Sequence, residues 1–330
     1  LFIFARLVLA VGEAGNFSAA IKSTAEFFPK KDRAFSTSIF NAGATVGALA
    51  APISIPLIAK LWGWEMAFII IGALGFIWMG FWRFVYEKPE KHRKVNAAEL
   101  AYIQSDQDNE IPQQANNEEV RTKKITFKEA FRYKQTWAFA FGKFMTDGVW
   151  WFFLFWAPAY LSSVYGIKSS DSAGQLAIFV LYLITLLSII GGWLPSYFID
   201  KKGMNPYAGR MKSMLIFAFF PLLALLAQPL GHISYWVPVV IIGIAGAAHQ
   251  AWSANIFSTI GDMFPKKAIA TITGIGGMAG GIGSFLINKG SGLLFDFTQK
   301  NWSTVNGQAL LEKFPQLNNP DTAVSFLKAN

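Results

Sequence analysis

Arg6, Glu13 and Asn16 interrupt the first apolar stretch of the chain at i, i+7 and i+10. On an α-helix that spacing projects all three from nearly one face. A guanidinium, a carboxylate and an amide on a helix of membrane-crossing length are expensive in hydrocarbon, so such groups turn toward a partner helix or a polar cavity. Two chemistries follow: a structural ion pair between helices, or a pathway for a proton and a polar substrate. The stretch closes on a charged cluster, Pro29-Lys30-Lys31-Asp32-Arg33.

A second set, Lys143, Asp147, Trp150 and Trp151, lies at i, i+4, i+7 and i+8 and shares a helix face. Lys143 and Asp147 can pair along the helix, which lowers the cost of placing both in a membrane. Either the pair is self-satisfied among packing aromatics, or it forms a cavity wall. In the second case Lys143 attracts an anion and the indoles lie against the apolar face of a sugar ring. A third set, His249, Gln250, Trp252, Ser253 and Asn255, interrupts another apolar helix. His249, Trp252 and Ser253 can share a face there, and Asn255 lies about 120° from His249. A membrane histidine is held by a neighbouring helix or takes part in binding, and so many polar or amphipathic residues in one short run favour binding.

Other chemistries find no support. Gly274, Gly276 and Ala279 fit a dinucleotide-binding spacing, but that motif needs a preceding strand, and here an apolar helix surrounds it. The glycines instead permit close helix packing. His92, His232 and His249 are scattered and make no metal-ligand set, there is no Gly-x-Ser-x-Gly elbow, and the absence of cysteine excludes disulfides and thiolate sites. No cofactor, metal or enzymatic activity is expected.

The elements that must carry these residues follow from composition. Of 330 residues 53% are hydrophobic and only 15% charged, against about 25% charged in soluble domains. About eight stretches reach the roughly 20 apolar residues that a membrane helix needs. They run to Phe28, then over Ala34–Ala59, Met66–Trp82, Gln135–Tyr165, Gln175–Ile199, Met214–Leu230, Tyr235–Ile260 and Ala268–Leu294. The segment Glu87–Lys134 is polar and carries an amphipathic helix over Ala97–Ile103. The chain opens on Leu1 inside an apolar run and reads as a fragment of a longer protein.

The formal charge of +9 is a topology signal. Lys30, Lys31 and Arg33, the polar connector, Lys201, Lys202, Arg210 and Lys212, and Lys266 and Lys267 all fall on one side of the membrane when loops alternate. The opposite loops hold Lys60 and Lys168, so the basic side reads as cytoplasmic and nucleic-acid binding is excluded. One internal repeat is visible: Glu26-Phe27-Phe28-Pro29-Lys30-Lys31 matches Asp262-Met263-Phe264-Pro265-Lys266-Lys267. The same offset pairs Ala34 with Ala270, Thr37 with Thr273, Gly47 with Gly283, and Glu13 with His249. Two halves repeated in one orientation are a known transporter design.

Arg6, Glu13-Ala14-Gly15-Asn16-Phe17 and Phe28-Pro29-Lys30-Lys31-Asp32-Arg33 resemble the fourth helix and following loop of the anion:cation symporter family, within the major facilitator superfamily. Lys143-Phe144-Met145-Thr146-Asp147-Gly148-Val149-Trp150-Trp151 and His249-Gln250-Ala251-Trp252-Ser253-Ala254-Asn255 are similar to bacterial hexuronate transporters. Asp200-x-x-Gly203 with Arg210 is similar to the superfamily's loop between helices eight and nine.

The resemblance implies an all-α polytopic bundle in two pseudo-symmetric halves. Residues 1–86 would be helices four to six, 87–134 a cytoplasmic connector, 135–295 helices seven to eleven, and 296–330 an extracytoplasmic tail leading to a last helix. It also implies proton-coupled import of a sugar-acid anion by a monomer in the bacterial inner membrane, with proton coupling at Glu13 and Arg6. Asn41 would offer a polar side chain to the substrate, beside the polar and indole residues named above. Symport of an aldonate or aldarate, and a membrane sugar-acid receptor, stand as alternatives.

Overall fold

The computed structural model describes residues 2–105, 125–168 and 171–313. Within them the chain is all helical. The first helix breaks at Ala14–Gly15 into α1 (Phe2–Glu13) and α2 (Asn16–Phe27). Then come α3 (Lys30–Trp62) and α4 (Trp64–Val85), and in the connector α5 (Ala97–Ile103) and α6 (Phe127–Ala130). The second half holds α7 (Lys134–Tyr165), α8 (Ser172–Thr185), α9 (Ile190–Lys202), α10 (Pro206–Phe219), α11 (Ala227–Leu230), α12 (Trp236–Met263) and α13 (Lys266–Lys313).

Among the described residues seven spans are long and apolar enough to cross a membrane, and they match seven of the eight expected stretches. The exception is α7. At 32 residues it is long enough, but Lys143 and Asp147 and its string of indoles lower its mean hydropathy below that of the other spans. The connector helix falls on Ala97–Ile103 as its pattern predicts, started by Asn96, whose side chain accepts from the Glu99 backbone N–H. Two stretches expected as single helices are not regular. Residues Leu186–Ile189, between α8 and α9, and Phe220–Leu226, between α10 and α11, are 3₁₀ turns. Pro221 opens the second of these, where it removes a backbone donor. The last helix runs without a break past Asp296 to Lys313; the expectation for 314–330 lies outside the described residues.

The repeat is structural as well as sequential. Phe28 and Phe264 each end a helix in extended backbone, at φ −126°, ψ 136° and φ −126°, ψ 148°. Each precedes a proline, which disfavours the helical region for the residue before it. A new helix starts just beyond, α3 in the first half and α13 in the second.

Packing is densest in the second half. There α13 lies along α7, and α12 is wrapped by α7, α8 and α10. Gly280 and Gly283 allow the α13–α7 approach: a Cβ at either would collide with the Asp147 carboxylate or the Phe144 carbonyl. The halves meet where α3 packs on α8, α9 and α12, and where α2 packs on α13 and α12. By contrast α1 is exposed from Ile3 to Glu13, and α4 buries only Ala67.

Candidate functional site

The helices enclose a cavity of about 850 Å³ between the two halves. The first half contributes Glu13 and Asn41; α7 contributes Lys143, Asp147, Trp150 and Trp151; α12 contributes His249 and Gln250. Eight residues singled out in the sequence thus come together around one space. Glu13 and His249, equivalent in the repeat, both face it.

Helix phase explains which residues of each set arrive. Taking roughly 100° per residue, Lys143, Asp147, Trp150 and Trp151 span one arc of α7 of about 100°. On α12 the cavity-lining residues are His249, Gln250, Ser253 and Phe257, which occupy a similar arc. Trp252 and Asn255 fall about 60° and 120° to the other side of His249, and they do not line the cavity. Trp252 is half-buried against core side chains. Asn255 is fully buried and donates to the Gly191 carbonyl at 2.7 Å, beside the 3₁₀ break before α9.

Arg6 and Asn16 also lie outside the lining. The Arg6 guanidinium sits over the Phe68 ring of α4 at 5.8 Å. Asn16 is exposed at the start of α2, just after the break at Ala14–Gly15.

The polar lining is specific in what it engages and what it leaves open. Lys143 is 3% exposed, with Nζ 2.5 Å from Asp147 Oδ1 and 4.0 Å from the centroid of the Phe257 ring. His249 Nε2 lies 2.7 Å from the Thr146 carbonyl, and Thr146 Oγ1 in turn donates back to Gly142. His249 Nδ1, Asn41 Nδ2 and Thr273 Oγ1 are buried with no hydrogen-bond partner among the described residues. Such atoms are unfavourable unless something completes them. Thr273 and Ser253 line the cavity too. In the sequence Thr273 stood out only as the repeat partner of Thr37, whereas Ser253 belongs to the polar run His249–Asn255 that favours binding. Trp150 tilts against Tyr182 at 6.4 Å and Trp151 stacks on Phe155 at 5.8 Å, so both indoles have one side held and line the cavity. Among the described residues no cluster of His, Asp or Glu could hold a metal ion.

On the basic side of the cavity the halves are fastened by two arginines. Arg210, fully buried, pairs with Asp262 at 3.2 Å and donates through Nη2 to the Lys30 carbonyl. Arg33 donates to the carbonyls of Phe28 at 3.0 Å, Gly261 at 2.8 Å and Ala25 at 3.4 Å.

A family model described as the Major Facilitator Superfamily matches residues 1–287. The chain is 29% identical over 296 residues to the hexuronate transporter of Escherichia coli (strain K12), covering 88% of this chain and 66% of that protein. It is 30% identical over 206 residues to the galacturonate transporter of Dickeya chrysanthemi, covering 62% of this chain and 58% of that one. It is 25% identical over 289 residues to a probable galactarate/D-glucarate transporter of Escherichia coli (strain K12), covering 86% and 63%. The chain thus spans about two thirds or less of the length of these relatives.

Proposed function

Because this chain belongs to the Major Facilitator Superfamily, we propose that it is part of a multi-pass transporter that imports a hexuronate, such as glucuronate or galacturonate, together with protons. The observation that carries the reading is one cation, Lys143, set among two indoles and three buried polar atoms that have no hydrogen-bond partner among the described residues. A carboxylate answers the ammonium with a charge-assisted bond. Hydroxyls answer Asn41 Nδ2, His249 Nδ1 and Thr273 Oγ1. The indole faces suit the C–H face of a sugar ring, which a hexuronate offers and an open-chain acid does not.

In this reading the two halves alternate access to the cavity, the basic side faces the cytoplasm of a bacterium, and one chain suffices. Glu13, in the cavity lining, carries the proton. Arg6, on the same helix, is its cationic counterpart in the proposed coupling; here it lies outside the lining over Phe68, so the coupling requires the rearrangement that alternates access to bring the two groups together. The second reading, an aldarate or aldonate, is favoured by the 25% identity to the probable galactarate/D-glucarate transporter.

The test is uptake of radiolabelled glucuronate into proteoliposomes with and without an inward proton gradient, against galacturonate, gluconate and glucose. Gradient-stimulated uptake blocked by galacturonate and not by glucose is expected. Gluconate carried in place of glucuronate would move the assignment to the second reading, and no gradient-dependent flux of any sugar acid would overturn both. Glu13→Gln should keep substrate exchange and lose accumulation; concentrative uptake at the wild-type level would remove Glu13 from the coupling.

A further inference from the structure

We propose that Phe257 is a positioning residue that links occupation of the cavity to the contact between the two halves. One face of its ring holds the Lys143 ammonium, and its flank holds Phe17 of the first half. The inference rests on the reading that a substrate carboxylate meets Lys143.

The geometry is a relay of short contacts. Lys143 Nζ stands 4.0 Å from the Phe257 centroid. The same ring lies 4.6 Å from that of Phe17 on α2, tilted by 53°. Phe17 in turn meets Phe40 of α3 edge-on at 5.4 Å. Phe17 and Phe257 both line the cavity. About one turn and more toward the basic side, Ile21 and Ala25 of α2 and Ile260 and Phe264 of α12 continue the same buried cluster to which Phe257 belongs. The two rings are therefore the floor of the cavity, where space gives way to close packing between the halves.

A cation over an aromatic face is held by the ring quadrupole, and more strongly when both are withdrawn from water. Lys143 has three N–H donors, and Asp147 engages the ammonium from one side. A carboxylate entering from the cavity draws the ammonium off the ring, which leaves the Phe257–Phe17 contact to hold the floor alone. Linkage makes the effect reciprocal: whatever weakens the hold of the ring on Lys143 favours the bound substrate and an open floor.

Replacing Phe257 by mono-, di- and trifluorophenylalanine withdraws the quadrupole at nearly constant shape. Glucuronate Kd on the purified protein should fall stepwise, by roughly two- to tenfold across the series. The same series at Phe139, the edge-on neighbour of Phe257 at 5.9 Å, should leave Kd unchanged. The chain has no cysteine, so Ala25→Cys, at a position 2% exposed below the floor, reports opening through its reaction with an impermeant maleimide. Labelling without substrate should speed up with each fluorine at position 257. Phe257→Leu should label fast whether or not glucuronate is present, and Phe257→Trp should restore the dependence on glucuronate.

A flat Kd and labelling series, in a protein that binds glucuronate, overturns the link and leaves the substrate reading standing. If the unfluorinated protein binds no sugar acid, the substrate reading fails, and the labelling series still decides whether the ring sets the floor.

Discussion

Lys143–Asp147 and Arg210–Asp262 are both buried ion pairs in the second half of the molecule, and they are built in opposite ways. The first lies within one helix at i and i+4, with side chains 3% and 19% exposed, and borders a cavity. The second joins α10 to α12 and is 0% and 6% exposed. Its neighbours are backbone carbonyls spoken for by arginines: Lys30 by Arg210, and Gly261 by Arg33. Around the first pair, His249 Nδ1, Asn41 Nδ2 and Thr273 Oγ1 are left without partners among the described residues. Burial of a salt bridge alone says little about stability, so the neighbours have to decide. Valences left open beside a charge suit a ligand. A pair that also reaches a backbone carbonyl of the other half, as Arg210 reaches Lys30, suits a fastening.

The largest effect should come from breaking the fastening. Arg210→Ala strands Asp262 and removes the donor to Lys30, and should lower unfolding stability by about 3–5 kcal/mol, read by thermal unfolding in detergent. A loss below about 1 kcal/mol would erase the distinction between the pairs. Neutralising the cavity pair at similar volume, with Lys143→Met and Asp147→Asn together, should leave stability within about 1–2 kcal/mol of the parent. The same double variant should weaken glucuronate binding by about tenfold or more. If it unfolds as readily as Arg210→Ala, the cavity pair is architectural too.

Two asparagines sharpen the contrast at a smaller scale. Asn255→Ala orphans the Gly191 carbonyl and should cost about 1–3 kcal/mol of stability with substrate affinity unchanged. Asn41→Ala should do the reverse, lowering affinity by roughly fivefold at constant melting temperature. Binding isotherms and melting curves on the same preparations separate the two outcomes.

How far all this could be read from the chain depends on what periodicity encodes. Helical phase alone groups Lys143, Asp147, Trp150 and Trp151 on one face, and the cavity is where that face points. The repeat alone puts Glu13 and His249 at equivalent depth, and both reach the lining. Phase also carried the information that Asn255 lies 120° off, but not what waits there. Its partner is a carbonyl next to a 3₁₀ break at Leu186–Ile189, and no proline marks that break. Arg6 and Glu13 share a face but stand about 10 Å apart along the helix axis, so a common face does not make them a contact. The Arg6 guanidinium instead finds Phe68, a neighbour only the tertiary fold supplies. Thr273 stands among the glycines of α13, whose small-residue spacing encodes close helix packing and says nothing of a hydroxyl turned to a cavity.

The smallest expected effect concerns the repeat itself. Asp262 and Glu26 are equivalent acids, yet Asp262 meets an arginine while Glu26 accepts a 2.5 Å hydrogen bond from the Tyr86 hydroxyl, with Lys22 at 3.7 Å. Burial first, and then that hydrogen bond to Glu26, push the Tyr86 phenol up to about 12. A raised folded pKa means that the folded chain keeps a proton the unfolded chain has already released. The contribution is therefore fully present below about pH 10, and it is lost as pH rises from there through about 12. Tyr86→Phe should flatten that alkaline slope in unfolding curves taken from pH 9 to 12, while changing stability at neutral pH by less than about 1.5 kcal/mol. A slope that survives the substitution would mean that Glu26 does not lean on the phenol. The two acids of the repeat would then each rest on a cation, half-exposed at Lys22 and buried at Arg210, and the fastening in the second half would owe its strength to the burial of Arg210 rather than to the repeated motif.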